Sequence, residues 1–593
     1  MEEPIRLIIW DLDDTFWAGT VSEGGITGYS EFNHNLIIEL ARRGIISSIC
    51  SKNDATIILP ILADKGILDY IVFPSIDWSS KACRVQGIIS STKLRPASVL
   101  FIDDNPSNLA EVKSLIPFIN VINEAFIPNI LDHPLFRGKD DVNLTRLSHY
   151  KTLERRVADF THHPENNIDF LRASDIRVSI VHDVENHLSR AVELINRTNQ
   201  LNFTKLRLSE DAKQAEAELL KMLTEIPYAR TAGLIQVADK YGDYGFSGFY
   251  LCEQFHTSYK LIHFCFSCRT LGMGVEKWIY DRLGKPELSV SGEVVLDVLD
   301  SAVVDWISLV PSSGESKAAA TARAVPKIFL RGGCDLDAVA HYLRYHCNTL
   351  ISETNFIRDG QFIRKDSLVN ARTSLSKFSM GEITEINNLG LATDDFQCRF
   401  IEDSTAGDVV ILSFWAELML HSYKHKLYGT HILMQLRSRS LDYVNSRAED
   451  IEKISGELGL SSNQKYDFQN RCKIMRDQYT SSFYDRPVLI EYLAYLLDRI
   501  PAGVHVIILL PSDRIRDSKG FVINSQSHTF ARTDIKNITR ERPLVSTIDV
   551  MESIYEDSNY VDVTHFTRMV YHRIYLQILE CISAHSDYQK SGA

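Results

Sequence analysis

Acidic side chains follow two short apolar runs in the first part of the sequence. The run 6–10 is followed at once by Asp11 and Asp13, and a later apolar run ends directly in Asp103 and Asp104. Two close carboxylates repel each other, which favours a bound divalent cation or a shared proton. The pattern predicts a phosphoryl-transfer site in which Asp11 is the nucleophile, Asp13 is the acid/base partner, and all four carboxylates serve as metal ligands.

Three further polar residues lie between these acidic pairs. Ser51 ends a second apolar run, Lys52 follows it, and Lys81 stands in the segment WSSKACR. We interpret Ser51 as a phosphate-binding hydroxyl, Lys52 as a second substrate-binding residue, and Lys81 as the group that neutralises charge during catalysis. An isolated Asp-x-Asp-x-Thr is also typical of a turn or a helix cap. Because four such polar elements follow one another along the chain, we prefer the interpretation as a phosphoryl-transfer site.

The elements that position these residues form an α/β pattern. The buried runs alternate with helical periodicity, as in 31–43, and this alternation is typical of a parallel sheet with crossover helices. In open α/β sheets, ligands bind at the carboxyl ends of the strands. The sequence therefore predicts that the acidic residues gather at one edge of a sheet.

The 593 residues suggest three or four domains at ~150 residues each. We predict an α/β multidomain protein. Its expected parts are a first domain over 1–125, a second over 126–290, a linker over 291–325, and a further α/β domain over 326–593. The stretch PSSGESKAAATARAVP is the clearest linker, because it is small and polar and has no apolar period.

Composition excludes several functional classes. The net charge of −13 and the pI near 5.8 argue against a nucleic-acid binder that relies on phosphate contacts. The longest apolar run, 409–420, contains Glu417 and is too short for a membrane span. The N-terminus carries acid where a signal peptide needs base, and the ten cysteines are scattered. We therefore expect a cytoplasmic protein with free thiols and without nucleic-acid or membrane partners.

The first block resembles the haloacid dehalogenase (HAD) superfamily of phosphotransferases. WDLDDTFWAGTVSEGGI, SICSKND and FIDDNPSNLAEV are similar to its FkbH-like branch, in subfamily IIIC. The resemblance continues through ELINRTNQLNFTKLRL, DKYGDYGFSGF and FSCRTLGMGVEKW, so that it covers residues 5 to 285. It implies a HAD-like Rossmannoid domain followed by an N-acetyltransferase-like domain. Asp14 stands where this family usually has Asn, and Met273 where it commonly has Arg.

The resemblance also implies a reaction. The family dephosphorylates 1,3-bisphosphoglycerate with Mg²⁺ and passes the glyceryl group to the thiol of an acyl carrier protein for polyketide-type biosynthesis. Cys268 would then be the acyl-accepting thiol, and a charge at Arg269 that lowered its pKa would make it a better nucleophile. Candidate glyceryl ligands are Asn199, Gln200 and Asn202, and candidate bases are Asp239 and His263.

The last block contains a second candidate site. PKIFLRGGCDLDAV reads as a strand, a Gly-Gly turn and Cys334 before a helix, and Asp562 and His565 precede the apolar final helix. This spacing can orient an imidazole towards a nucleophile. The block resembles the SGNH (GDSL-like) hydrolases, with Gly-Gly-Cys in place of Gly-Asp-Ser. Three interpretations stay open: a thiol for thioester exchange, a docking domain without chemistry, or core packing with a helix cap.

Two motifs favour simpler interpretations. Cys265 and Cys268 have zinc-knuckle spacing, but no second pair follows at a suitable distance. Asp366-Ser367-Leu368 mimics a phosphopantetheine attachment site, yet its polar context favours a helix cap, so we expect the carrier protein in trans. Two alternatives to glyceryl loading remain, namely a magnesium-dependent phosphatase of another small phosphate ester and a carrier-docking scaffold.

Overall fold

The structure is a computed structural model that describes residues 3–161, 167–255, 258–312, 325–334, 336–358, 361–436, 441–517, 519–563 and 565–591. Three five-stranded sheets, each covered by helices, organise this part of the chain into three units. The α/β multidomain class predicted from sequence is confirmed. Among the helices of the described residues, none is long and apolar enough to cross a membrane.

The first sheet is wholly parallel, with the strand order β3-β2-β1-β4-β5. Its apolar strands are continuous runs because alternate residues of β1 enter two cores, one on each face of the sheet. The strands are β1 Leu7–Trp10, β2 Ile46–Ser51, β3 Ser75–Ile76, β4 Val99–Ile102 and β5 Asn120–Ile122. The helices are α1 Glu31–Arg42, α2 Ala55–Asp64, α3 Lys81–Thr92 and α4 Pro106–Leu115.

The first unit continues past residue 125, where its domain was predicted to end. Ile127 and Phe136 are buried in its core. The backbone N–H of Ile5, which leads into β1, donates to the carbonyl oxygen of Leu135 at 2.9 Å. The segment after β5 therefore folds back onto the first sheet.

The second sheet has the order β10-β6-β7-β8-β9 and is antiparallel except for β10, which runs parallel to β6. Its strands are β6 Ile176–Val181, β7 Arg230–Asp239, β8 Gly242–Phe255, β9 Ser258–Phe266 and β10 Ile307–Leu309. The helices of this unit are α6 Asn167–Arg172, α7 Leu188–Arg197, α8 Ala212–Thr224 and α9 Val275–Arg282, and the preceding helix α5 Thr145–Thr161 packs Leu147 into the core of the first unit. Because β10 lies inside the predicted linker 291–325, the second unit extends beyond residue 290. Residues 313–324 of that linker lie outside the described residues.

The third sheet is parallel, with the order β12-β11-β15-β20-β23, and its predicted strands at 327–330, 409–414 and 504–510 correspond to β11, β15 and β20. Small antiparallel sheets are inserted between and beyond these strands. The strands are β11 Val325–Gly332, β12 Cys347–Thr354, β13 Phe356–Arg358, β14 Gln361–Ile363, β15 Val409–Leu412, β16 His421–His425, β17 His431–Leu433, β18 Gln435–Leu436, β19 Tyr479–Phe483, β20 His505–Leu510, β21 Arg514–Arg516, β22 Val522–Asn524 and β23 Val545–Asp549. The helices are α10 Leu336–Leu343, α11 Leu368–Ser374, α12 Met380–Asn388, α13 Arg399–Glu402, α14 Ala448–Glu457, α15 Ser462–Gln478, α16 Arg486–Leu497, α17 Gln526–Thr539 and α18 Arg568–Ser591.

Polar contacts join the second and third units. The buried Arg568, at the start of α18, pairs with Glu185 and donates to the carbonyl oxygen of Ala232. His341 on α10 lies 3.1 Å from the hydroxyl of Tyr250 on β8. The acetyltransferase-like and SGNH-like assignments of these two units stay predictions.

Candidate functional site

The acidic residues meet where the first sheet reverses its order. β1 and β4 are neighbours, and the chain connects them to strands on opposite sides, which makes the crevice at their carboxyl ends the expected ligand site. Asp11 directly follows β1, and Asp103 directly follows β4. Oxygens of Asp11, Asp103 and Asp104 lie within 4.8 Å of one another. The strand ends therefore build the carboxylate cluster that the sequence predicted.

Lys81 lies at the centre of this cluster. It is the first residue of α3, it is buried, and its Nζ lies 2.7 Å from Asp11 Oδ2 and 2.6 Å from Asp103 Oδ2. Burial raises the pKa of Asp11 to about 6, with a further contribution from Asp103, while Lys81 opposes the rise. Burial alone would lower the pKa of Lys81, but the two carboxylates raise it above its ordinary value. Lys81 thus keeps two buried carboxylates paired.

Asp13 contributes no atom to this cluster, although the sequence predicted it as a ligand. Its Oδ1 accepts a hydrogen bond from Trp17 Nε1 at 2.9 Å, and its Oδ2 accepts one from Asn53 Nδ2 at 3.0 Å. The expectation assumed that the chain stays extended after β1. Instead the segment after Asp11 turns, and Asp14 within this turn has a φ of 49° in the left-handed region. Asp13 is therefore held beside the cluster.

Asp14 takes part in the turn that places the site. Its Oδ1 accepts the backbone N–H of Gly19 at 2.8 Å. Asp and Asn are the side chains that tolerate the left-handed conformation best after Gly. Asp at this position is therefore compatible with the observed backbone.

The segment after β2 supplies Ser51 and Asn53. Both are buried, and Asn53 Nδ2 donates to Ser51 Oγ at 3.0 Å as well as to Asp13. Lys52 is exposed, and its predicted role in substrate binding stays a prediction. Sequence reasoning missed Asn53, although its offset of two residues from Ser51 would have placed both on one side of an extended chain.

Two more polar residues missed by sequence reasoning hold the Asp103–Asp104 pair in place. The hydroxyl of Thr15 accepts the backbone N–H of Asp104 at 2.9 Å, and Asn108 Nδ2 donates to Asp103 Oδ1 at 3.0 Å. Asn108 lies on α4, which begins just after the pair. These contacts fix the orientation of the carboxylates before any ligand binds.

Cys268 lines a cleft between the first and second units that is separate from the Asp11 cluster. This cleft has a volume of about 850 Å³ and is lined by the residues that precede β1, β2 and β4, together with parts of the second unit. Its lining includes nine basic side chains and three carboxylates, an unusual balance in a chain of net charge −13. Burial, with the nearby charge of Arg190, lowers the pKa of Arg269 to about 10. The cleft is therefore a site of positive potential suited to an anion.

The Cys268 thiol faces Gln200, with 3.5 Å between Sγ and Oε1. Burial raises the pKa of this thiol, and Arg269 donates to the carbonyl oxygen of Tyr244 at 3.2 Å. The expectation that Arg269 lowers the thiol's pKa is therefore not met in this arrangement. Cys265, by contrast, is a fully buried core thiol whose pKa burial raises to about 12.

The other residues predicted around Cys268 have separate surroundings. Asn199 is exposed, whereas Asn202 is buried and donates to the carbonyl oxygen of Ile195 at 3.1 Å. Asp239 accepts a hydrogen bond from the Tyr244 hydroxyl at 2.8 Å, and burial lowers the pKa of His263 to about 4. Among the predicted glyceryl ligands, only Gln200 is shown in contact with the thiol.

The Asp11 cluster and the Cys268 cleft lie at opposite edges of the first sheet. Arg6, which lines the cleft, precedes β1, and Asp11 follows it. Five residues of extended chain at ~3.3 Å each separate these positions by roughly 16 Å. A three-carbon substrate cannot contact both sites at once.

The third unit brings Cys334, His565 and Asp562 together. Cys334 Sγ lies 3.3 Å from His565 Nε2, and His565 Nδ1 lies 2.8 Å from Asp562 Oδ2. Burial alone would lower the pKa of His565, but hydrogen bonds to Asp562 and Cys334 raise it to about 10. The three side chains therefore form one connected Cys–His–Asp chain.

Ser367 caps helix α11, as predicted. Its Oγ accepts the backbone N–H of Asn370 at 3.0 Å and donates to Glu417 Oε1 at 2.6 Å. The side chain is fully buried. The described structure thus gives this serine a structural role.

Comparisons with known proteins give limited similarity. No protein-family model and no curated protein matches the chain. Among matching solved structures is the N-terminal part of a Bacteroides fragilis protein that contains a phosphatase domain complexed with Mg. It is 24% identical, the match covers 25% of this chain and 40% of that one, and the TM-score is 0.19.

Two other matching structures are covered over 95% of their own length. An uncharacterized protein from Corynebacterium glutamicum is 16% identical over 22% of this chain, with a TM-score of 0.17. The 3-deoxy-D-manno-octulosonate 8-phosphate phosphatase from Moraxella catarrhalis, in complex with magnesium, phosphate and KDO, is 17% identical over 28% of this chain, with a TM-score of 0.17.

Proposed function

We propose that the first unit is a magnesium-dependent phosphotransferase of HAD type. The observation that carries this proposal is the buried Asp11–Lys81–Asp103 cluster at the switch point of a parallel sheet. Oxygens of Asp11, Asp103 and Asp104 are the hard ligands that Mg²⁺ prefers, and their spacing within 4.8 Å fits one ion. Bound there, the ion would neutralise phosphate charge.

The protein's own residues then have separate tasks. Asp11 attacks phosphorus and forms an aspartyl phosphate, which water later hydrolyses to regenerate the carboxylate. Asp13, held by Trp17 and Asn53, gives a proton to the leaving oxygen and takes one from the attacking water. The Ser51 hydroxyl and the Lys81 ammonium stabilise the phosphoryl oxygens.

We further propose that the substrate is 1,3-bisphosphoglycerate and that Cys268 accepts the acyl group before an acyl carrier protein takes it. The basic cleft supports this step, because it presents a half-buried thiol beside side chains suited to a phosphorylated acyl donor. The thiol displaces the acyl phosphate, a thioester forms, and phosphate leaves. The carrier then removes the acyl group by thioester exchange. The carrier partner and the cytoplasmic setting remain predictions.

Cys268→Ala is expected to abolish formation of an acyl adduct on the protein while phosphate release at the Asp11 site continues. The reason is that the two groups lie at opposite edges of the sheet. Intact-protein mass spectrometry after incubation with 1,3-bisphosphoglycerate measures the adduct. Cys83→Ala, which removes an exposed thiol of the first unit, is the control and should keep it. An adduct of equal yield in Cys268→Ala would refute the assignment.

Arg269→Gln is expected to slow acyl loading about 10- to 100-fold, since it removes a charged donor from the cleft, typically worth about 1.5–3 kcal/mol. The initial rate of adduct formation at limiting donor concentration measures the effect. The exposed Arg155, which does not line the cleft, provides the control variant Arg155→Gln. Equal rates for both variants would mean that the donor binds elsewhere.

A plain phosphatase acting on another small phosphate ester is the competing function. It predicts phosphate release with no adduct on Cys268 and no dependence on a carrier protein. The same mass measurement separates the two.

A further inference from the structure

The third unit places a nucleophilic side chain at its own switch point. β11 has β12 on one side and β15 on the other, and Cys334 follows β11 through a Gly-Gly turn. Gly332 allows a close approach there, since a Cβ on it would lie 2.9 Å from Ser413 Cβ and 3.0 Å from the carbonyl oxygen of Ser413. Helix α10 begins just beyond, and its N-terminus adds a partial positive charge near the thiol.

His565 reaches this position from a point 231 residues further along the chain. Asp562 holds His565 through two contacts. Its Oδ1 accepts the backbone N–H of His565 at 2.8 Å, and its Oδ2 lies 2.8 Å from Nδ1 of the ring. This arrangement orients the ring so that Nε2 points at Sγ, 3.3 Å away, where the two groups can share a proton.

A residue of the second unit completes the site. The ring of Tyr228, located just before β7, stacks on His565 with 3.9 Å between centroids and 19° between planes. The His565 side chain retains 15% exposure, so the group is covered but accessible. The site is thus assembled at the junction of the second and third units.

We propose that Cys334, His565 and Asp562 form a second acyl-transfer centre, which takes an acyl group from a thioester onto the Cys334 thiol. Sγ attacks the carbonyl carbon, an S–C bond forms to Cys334, and the bond to the leaving sulfur breaks. The proton shared by the Cys334–His565 pair stays on His565 Nε2 during the attack and passes to the leaving thiolate as it departs. No oxidant or further reactant is needed.

The geometry also separates this centre from Cys268. Tyr228 lies at the end of the second sheet where β9 begins, and Cys268 follows the last residue of β9. Eight residues at ~3.4 Å each place the two ends roughly 27 Å apart. An acyl group can pass between them only on a mobile carrier, which is the reason for choosing a thioester as the substrate class.

Incubation of the full chain with the acetyl thioester of N-acetylcysteamine tests the proposal. Intact mass and peptide mapping are expected to find one acetyl group on Cys334. It should be absent from Cys334→Ala and should form about 100-fold more slowly in His565→Gln. Cys581→Ala, which removes another half-buried thiol of the third unit, should react like the original protein.

Two further measurements distinguish a catalytic role of Cys334, His565 and Asp562 from a merely structural one. The rate of acetylation should change little with pH near neutrality in the original protein and should rise with pH in His565→Gln, which has no partner for the thiol proton. Asp562→Asn should slow the reaction less than His565→Gln. Absence of an adduct on the original protein, or equal acetylation of Cys334 in His565→Gln, would overturn the proposal. Neither result bears on phosphate release at Asp11, so the two proposals fail separately.

Discussion

Asp11→Asn is expected to reduce phosphate release at least about a thousand-fold, because an amide cannot form the aspartyl phosphate. The change is nearly isosteric and keeps an oxygen beside Lys81, so the fold should be retained. Continuous measurement of inorganic phosphate in the presence of Mg²⁺ provides the rate. If the glyceryl-loading proposal is correct, the variant should also accumulate a phosphoglyceryl adduct on Cys268, since acyl transfer takes place at the other edge of the sheet.

The matched control is Asp64→Asn, which changes an exposed carboxylate of the same unit. Its phosphate release should stay within twofold of that of the original protein. Retention of more than a tenth of the activity by Asp11→Asn would show that another group is the nucleophile.

Lys81→Met is expected to lower the free energy of unfolding by about 3–5 kcal/mol, because it leaves two buried carboxylates without their cation. Phosphate release should be lost as well. Mg²⁺ should restore part of the stability, since a bound cation replaces the missing charge. Urea unfolding of the full chain, followed in EDTA and in Mg²⁺, measures both effects.

Lys52→Met serves as the control for this second prediction. Lys52 adjoins the same site but is exposed, so its loss should change stability by no more than about 0.5 kcal/mol. Similar unfolding midpoints for the two variants would contradict the view that Lys81 holds the carboxylate pair together.

The residues at the strand ends were the part of the site that the sequence predicted best. The apolar runs before Asp11 and Asp103 are continuous because both faces of the first sheet are buried, and parallel strands bring their carboxyl ends to one edge. Asp13 lies beside the carboxylate cluster, where Trp17 and Asn53 donate to its carboxylate, and its predicted metal contact stays a prediction. The left-handed backbone at Asp14 is accompanied by a local hydrogen bond to Gly19, which the two-residue alternation of an extended strand does not reveal.

The basic cleft could not be predicted, because its lining comes from segments as distant as Arg6 and Arg269 and forms only when two units pack. The Cys334 and His565 pair was found despite its separation, because a turn and a helix start are local signals. Tyr228 was missed, since nothing in its neighbourhood indicates that it crosses between units.

The three positions proposed to react are arranged so that no single small substrate contacts two of them. Asp11 and Cys268 flank the first sheet, and Cys268 and Cys334 flank the second. This separation favours a carrier-bound acyl group, which can visit the sites in turn, over a concerted reaction in one pocket.

The most direct measurement is to incubate the full chain with Mg²⁺ and 1,3-bisphosphoglycerate, with and without a pantetheinylated carrier protein, and to record phosphate release and intact masses together. We expect a glyceryl adduct on Cys268 that moves to the carrier when one is present, and phosphate release that depends on Asp11. Absence of both phosphate release and adduct would contradict the proposed function. Phosphate release without an adduct would contradict glyceryl loading and leave a phosphatase.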